Sequence, residues 1–201
     1  MKDEILKHSS ELFLTQGFKS VTMDDIATHM GISKKTIYTS FTNKTELVRE
    51  VGSKILADLK QTIECLVGEH MNPIEELYEI KKYVMHYLKG ERSYPIQQMQ
   101  KYYPAIYDEL KNDQYEFMQR CVLRNLNHGL EKGLYRTNID PEFISRIYFL
   151  GITGIKDQSL FPIEQFAPAK LHETYLEYHL RGIVTPEGRK ILNNLIQSNE
   201  D

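Results

Sequence analysis

Two lysines, a threonine and a tyrosine stand together at Lys34, Lys35, Thr36 and Tyr38, directly behind Ser33, with a further hydroxyl at Thr22 and a further ammonium at Lys44. The chemistry these groups offer is contact with a polyanion. One lysine of the pair suits a phosphate, and the other a guanine edge or a second phosphate. Lys lacks the planar double contact of Arg, so base readout from this pair is modest. Thr36 suits a thymine methyl or a phosphate, and the Tyr38 phenol reaches a phosphate while its ring packs. Thr22 and Lys44 lie at helix starts, where backbone N–H groups already favour phosphate. The competing reading is a solvated lysine face, with Thr22 and Ser33 acting as caps alone.

Such groups need a scaffold, and residues 22–47 supply one. Thr22 with Asp25 has the spacing of a capping box, followed by the stripe Met23, Ile26, Ala27 and Met30. Gly31 makes the turn and Ile32 plugs the angle. Ser33 caps a third helix, Ser33–Ser40, whose buried side is Ile37 and Phe41, so Lys34 and Lys35 face out. Asn43 with Glu46 reads as another capping box, opening a long helix through Leu47, Val51, Ile55 and Leu59. Before these, a first helix over about 2–16 ends at Gly17, with Phe18 and Val21 buried behind it. Two short helices joined at a glycine, with cations opening the second, are the layout of a helix-turn-helix.

The net charge of −3 argues at first against nucleic acid, but its distribution does not. Residues 1–60 carry +1 and the remainder −4, and Ile26–Thr45 hold three lysines and no acid. A small local basic patch suits a protein that must release DNA on demand. His29 reads as a surface residue, with a phosphate contact as the second choice.

Past residue 68 the amphipathic helices lengthen, and no strand alternation stands out. Gly68 and Asn72-Pro73 mark a break. A helix runs from Pro73 through Ile74, Leu77, Val84 and Leu88, and Gly90–Pro95 reads as a loop. Pro104 opens a segment reaching about Lys132, with Gly133 as its stop. Asp140-Pro141 is a clear start, Phe161–Pro168 is irregular, the next helix ends at about Arg181 before Gly182, and Thr185-Pro186 opens a last helix ending near Gln197.

Residues 1–50 resemble the N-terminal domain of the TetR family of bacterial transcriptional regulators. The resemblance is carried by Phe13, Gly17-Phe18, Thr22, Asp25-Ile26-Ala27, Gly31-Ile32-Ser33, Thr36-Ile37-Tyr38, Phe41, Asn43-Lys44 and Leu47. It covers about a quarter of the chain. It implies an all-α protein with a three-helix DNA-binding domain at 1–48 and a helical effector-binding and dimerisation domain at 49–201. It implies a homodimer on a two-fold double-stranded DNA operator, repression as the default, and release by a small-molecule effector. By family position, Thr22, Ser33, Lys34, Lys35, Thr36, Tyr38 and Lys44 are the DNA contacts.

Eight of the 13 tyrosines fall within residues 78–115, joined by Met85, Met99, Phe117 and Met118. Aromatics and methionine with a few hydroxyls suit a flat apolar ligand better than a polyanion. The candidate lining is Tyr83, Tyr87, Met99, Tyr103, Phe117 and Phe149, against the plainer reading that these rings pack the helices. A dimer face is expected from about 141–157 and 169–181: Phe143, Ile144, Ile147, Tyr148, Gly151, Ile155, Leu171, Tyr175 and Tyr178. Gly151 and Gly154 would allow close backbone approach, and burial within one chain is the alternative.

Enzyme readings fail. His172-Glu173 begins an HExxH pattern, but position 176 is Leu, and there is no P-loop, GxGxxG or nucleophile elbow, so no cofactor is expected. His172 and His179, seven apart, could share a face. Cys65 and Cys121 are isolated and read as packing residues, with redox sensing as the alternative. No apolar run reaches the roughly 20 residues of a membrane span, and the charged Met1–Glu4 lacks a signal-peptide core, so a cytoplasmic protein without a membrane partner is expected. The alternative function is a helical small-molecule-binding or assembly module whose helix-turn-helix contacts protein.

Overall fold

Capping chemistry in the sequence sets where most helices begin. The computed structural model describes residues 1–67, 71–87 and 93–200, and among them the chain is all-α, with one isolated antiparallel bridge between Tyr135 and Val184. The helices are α1 (Lys2–Gln16), α2 (Met23–Met30), α3 (Lys34–Tyr38), α4 (Lys44–Leu66), α5 (Pro73–Tyr87), α6 (Ser93–Tyr102), α7 (Pro104–Glu131), α8 (Pro141–Gly154), α9 (Pro168–Ile183) and α10 (Pro186–Glu200). A small N-terminal helix-turn-helix bundle is followed by a larger helical domain. Gly68, Leu88 and Gly90, used above as boundaries or stripe positions, lie outside the described residues, as does the Tyr94 side chain.

Four expected boundaries differ. α3 is shorter than Ser33–Ser40, because the Thr39 hydroxyl donates back to the Thr36 carbonyl at 2.6 Å and the chain then drops Phe41 into the core. The Gly90–Pro95 stretch is helical from Ser93 onward, with Pro95 in the first turn of α6, where a missing N–H costs little. Gly182 lies inside α9. That helix stops at Ile183 because its end pairs with 134–136: Arg136 N–H donates to Ile183 O at 2.8 Å and Thr185 N–H to Leu134 O at 2.9 Å. α10 runs on to Glu200 rather than ending near Gln197.

Contacts gather the chain into two compact units. The first is Met1–Thr62 with Glu91–Gln114; the second is Ile63–Gly90 with Tyr115–Asp201. In the first, Ile5, Phe13, Phe18, Val21, Ile26, Ile37, Phe41, Leu47 and Val51 are buried together, and the Phe13 and Phe18 rings stack at 4.9 Å. α6 adds buried Gln98 and Met99 to this unit, and α4 is tied to the front of α7 by Arg49–Glu109 and Lys60–Asp113 ion pairs.

The second unit is built on Ile74, Leu77, Tyr78, Leu126, Tyr135, Leu176, Leu180 and Leu192. Tyr135 donates its hydroxyl to Asn125 Oδ1 at 2.9 Å, and Asn125 Nδ2 donates to Pro73 O at 2.8 Å, so both buried polar groups are satisfied. Asp140 caps α8, accepting from the N–H groups of Glu142 and Phe143. Tyr148, Tyr175 and His179 form an aromatic cluster between α8 and α9, and burial holds the His179 imidazole down at about 4, hence neutral near pH 7.

Candidate nucleic-acid interface

The turn that aims α3 rests on two caps and one left-handed glycine. Thr22 Oγ1 accepts from Asp25 N–H at 3.1 Å while Asp25 Oδ2 accepts from Thr22 N–H at 2.8 Å, completing the box that opens α2. Those bonds hold the Asp25 carboxyl below its usual range. Gly31 takes φ +65°, its N–H bonding Thr28 O and the Ile32 N–H bonding Ala27 O. Both bonds are those of a helix end that turns through the left-handed region, which glycine enters without strain. Ser33 Oγ then accepts from Thr36 N–H at 3.1 Å and starts α3.

On this scaffold Ile37 is fully buried, and Lys34, Lys35 and Tyr38 are exposed on the same short helix. Thr36 is half-buried, its hydroxyl 2.8 Å from that of Ser33. Lys35 and Tyr38 are the plainest outward groups. Lys34 is engaged: its Nζ donates to Asp24 Oδ2 at 2.7 Å, a bond that raises its pKa. The acid-free window Ile26–Thr45 ended two residues short of this partner, so counting charges along the chain missed a pair that closes across the turn.

Thr22 and Lys44 are also less free than their positions suggest. The Thr22 hydroxyl is occupied by Asp25, to whose carboxylate it donates at 2.7 Å. Lys44 Nζ donates to Lys19 O at 3.1 Å and sits over the Phe13 ring, and burial, then the nearby Lys19 charge, push its pKa down. Asn43 Oδ1 accepts from Glu46 N–H at 2.9 Å as expected, but the return arm goes one residue further back. Glu46 Oε2 accepts from both the N–H and the hydroxyl of Thr42, so Asn43 is not reciprocally boxed.

An acid 2.7 Å from a lysine on the proposed reading face competes with phosphate for it. Asp24→Asn should therefore raise affinity for duplex DNA by a few-fold, exposed pairs being weak. Fluorescence anisotropy titrations at fixed salt check this, and weaker binding would mean that Asp24 orients Lys34 rather than competing for it.

The other expected sites are distributed as follows. Met99 and Tyr103 fall in the first unit. Tyr83, Tyr87, Phe117 and Phe149 fall in the second, where the Tyr83 and Tyr87 rings lie 5.8 Å apart and Phe149 packs edge-on against Tyr115. A cleft of about 410 Å³ is lined by none of these but by Arg136, Val184, Pro186, Arg189, Lys190 and Asn193. Of the α8–α9 set, Ile144 and Tyr148 pack on the core, Ile155 is buried and Leu171 is half-buried. Tyr175 lies over Gly151, where an added Cβ would fall 2.1 Å from its hydroxyl oxygen; the hydroxyl donates to Tyr148 O at 3.0 Å. Phe143, Ile147 and Tyr178 are exposed, and so is Leu150, which sequence reading passed over although 143, 147 and 150 share one helix face.

Comparison with known proteins places the head among described relatives. Residues 5–51 match the family of bacterial regulatory proteins, tetR family. The HTH-type transcriptional regulator YvaF of Bacillus subtilis (strain 168) is 26% identical, over 93% of this chain and 97% of its own. The HTH-type transcriptional repressor KstR2 of Mycobacterium tuberculosis (strain ATCC 25618 / H37Rv) is 25% identical, over 93% of this chain and 94% of its own. Among solved structures, a TetR-family transcriptional regulator from Marinobacter aquaeolei VT8 has the same fold, with a TM-score of 0.75 at 20% identity and 98% of both chains covered.

Proposed function

Since the chain belongs, through residues 5–51, to the TetR family of bacterial transcriptional regulators, we propose that it works as a homodimeric repressor. On this reading it binds a palindromic operator and is released by a small apolar or aromatic effector. The family is one of regulators, not enzymes, and no helix among the described residues is long and apolar enough to cross a membrane. The observation that carries the reading is α3: a five-residue helix capped by Ser33, anchored by buried Ile37, with Lys34, Lys35 and Tyr38 turned outward. Residues 1–48 are the proposed DNA-binding domain, with Thr22, Ser33, Thr36 and Lys44 as supporting contacts, and 49–201 the proposed effector and dimerisation domain.

The experiment is selection of genomic fragments followed by footprinting and salt titration. Two-fold symmetric protection is expected. Lys35→Ala should weaken operator binding at least about tenfold and make the dependence on salt shallower, one phosphate contact being lost per subunit. Unchanged affinity and slope would remove α3 from the interface. If no fragment is retained at low salt while an apolar ligand still raises the melting temperature, the head contacts protein instead.

For the effector, the support is the set of aromatic side chains Tyr83, Tyr87, Phe117 and Phe149 in the second unit. Met99 and Tyr103 are retained as candidates. KstR2 is described as a ketosteroid transcriptional regulator, so flat polycyclic ketones belong in the panel of compounds tested for release from DNA.

A further inference from the structure

We propose that His8, Glu11 and His29 form a binding site for a divalent transition-metal ion of the zinc class, joining α1 to the end of α2. His8 and Glu11 stand one turn apart on α1, and His29 lies in the last turn of α2, two residues before Gly31. One ligand atom from each residue lies within 4.8 Å of those of the other two. His8 Nδ1 is 4.0 Å from Glu11 Oε2, and the two imidazoles meet edge to face at 5.4 Å between centroids. Among the described residues no other group of three His, Cys, Asp or Glu side chains converges in this way.

A second observation concerns His8 itself. Its Nδ1 is buried and makes no hydrogen bond, although the rest of the ring reaches solvent. A buried nitrogen without a partner is costly, and a metal ion supplies one. Bonds of about 2.0–2.1 Å in a tetrahedral site set its ligand atoms about 3.3 Å apart, so each pair here closes by about 1.5 Å at most. Side-chain rotation covers that distance, because Glu11 and His29 are exposed and free to re-aim.

The donor set selects the ion. Two imidazoles and one carboxylate suit zinc, cobalt, nickel or copper, and not magnesium or calcium, which take oxygen. Three protein ligands leave a fourth position for water, so the site is exchangeable rather than a permanent structural centre. Because the ligands come from two helices, the ion binds the folded head more tightly than the unfolded chain, and it adds stability to the α1–α2 pair by mass action. That pair is the platform for the turn into α3.

The test uses the full chain, stripped with EDTA and dialysed. Zinc is titrated in competition with a chromophoric chelator, and cobalt is added separately to read its visible absorption. One ion per chain is expected, with a rise in melting temperature and tetrahedral cobalt bands. His29→Gln and Glu11→Gln should each weaken zinc binding at least about tenfold, a lost ligand costing no less than a lost outer-shell partner. The melting temperatures of both stripped variants should match that of the stripped parent, since both side chains are exposed. Two results would overturn the site: no ion retained in excess zinc, or one ion whose affinity neither variant changes. Neither result bears on DNA binding, which is measured independently in EDTA.

Discussion

Replacing Leu150 by Glu should leave the chain folded but monomeric, and should cut affinity for a two-fold operator by at least about a hundredfold. Phe143, Ile147 and Leu150 recur on one face of α8 and are 59%, 43% and 62% exposed; Tyr178 on α9 is 77% exposed. Leu150 in particular is mostly exposed in the isolated subunit, so a charge there costs the fold little. Other faces of α8 are already committed within the chain, with Ser145 and Phe149 buried and Gly151 beneath the Tyr175 ring. An added Cβ at Gly154, by contrast, meets nothing within 4 Å, which leaves that position open to close approach by a second chain. In a two-fold interface every substitution enters twice, so two unpaired carboxylates would be desolvated.

The loss of DNA affinity follows from tethering. A dimer presents its second head at an effective concentration in the millimolar range once the first is bound, and a monomer forfeits that gain. Sedimentation gives the oligomeric state, circular dichroism the fold, and anisotropy on the selected operator the affinity. A Leu150→Glu chain that still sediments as a dimer and binds as before would place the dimer face elsewhere.

The features legible in sequence share a property: they close within four residues. Thr22 with Asp25, Ser33 with Thr36, and Asp140 with Phe143 are such pairs, and each is made as its spacing predicts. The buried faces of α2 and α3 were legible for a related reason, since a helix repeats its environment every three to four residues. What escaped was closed by the tertiary fold. Asp24 reaches Lys34 across a turn. α6 offers a weak stripe, with Gln97, Gln98 and Gln100 around Met99, and a proline near its start, so nothing local announces a helix or its burial. Gly151 and Gly154 look alike in sequence, yet only the first lies under an aromatic ring of its own chain.

α6 also holds the contact on which the second large prediction rests. Gln98 is buried, accepts from the Lys19 N–H at 2.6 Å, and donates to Ser20 Oγ at 3.1 Å, fastening the α1–α2 loop from 79 residues away. Gly17 makes room for it. Its backbone sits at φ +94°, ψ 151°, a region essentially reserved for glycine, and a Cβ there would fall 2.4 Å from Gln98 Oε1. Gly17→Ala therefore combines backbone strain of about 1–3 kcal/mol with a displaced amide whose two hydrogen bonds are worth about 1 kcal/mol each. A loss of about 3–5 kcal/mol of stability is expected, by denaturant unfolding, with early hydrogen exchange at the Lys19 amide.

Gln98→Ala should cost less, about 1–3 kcal/mol, because it removes the bonds without straining the backbone. The two changes share one contact, so their costs should not add. With the amide gone the clash disappears, and the double variant should fall short of the sum by about 1–2 kcal/mol. Additive costs would mean that Gly17 is needed for its φ alone and that Gln98 holds the loop independently. A shortfall would establish the glycine and the glutamine as one joint between α6 and the loop that leads into Thr22, the first cap of the helix-turn-helix.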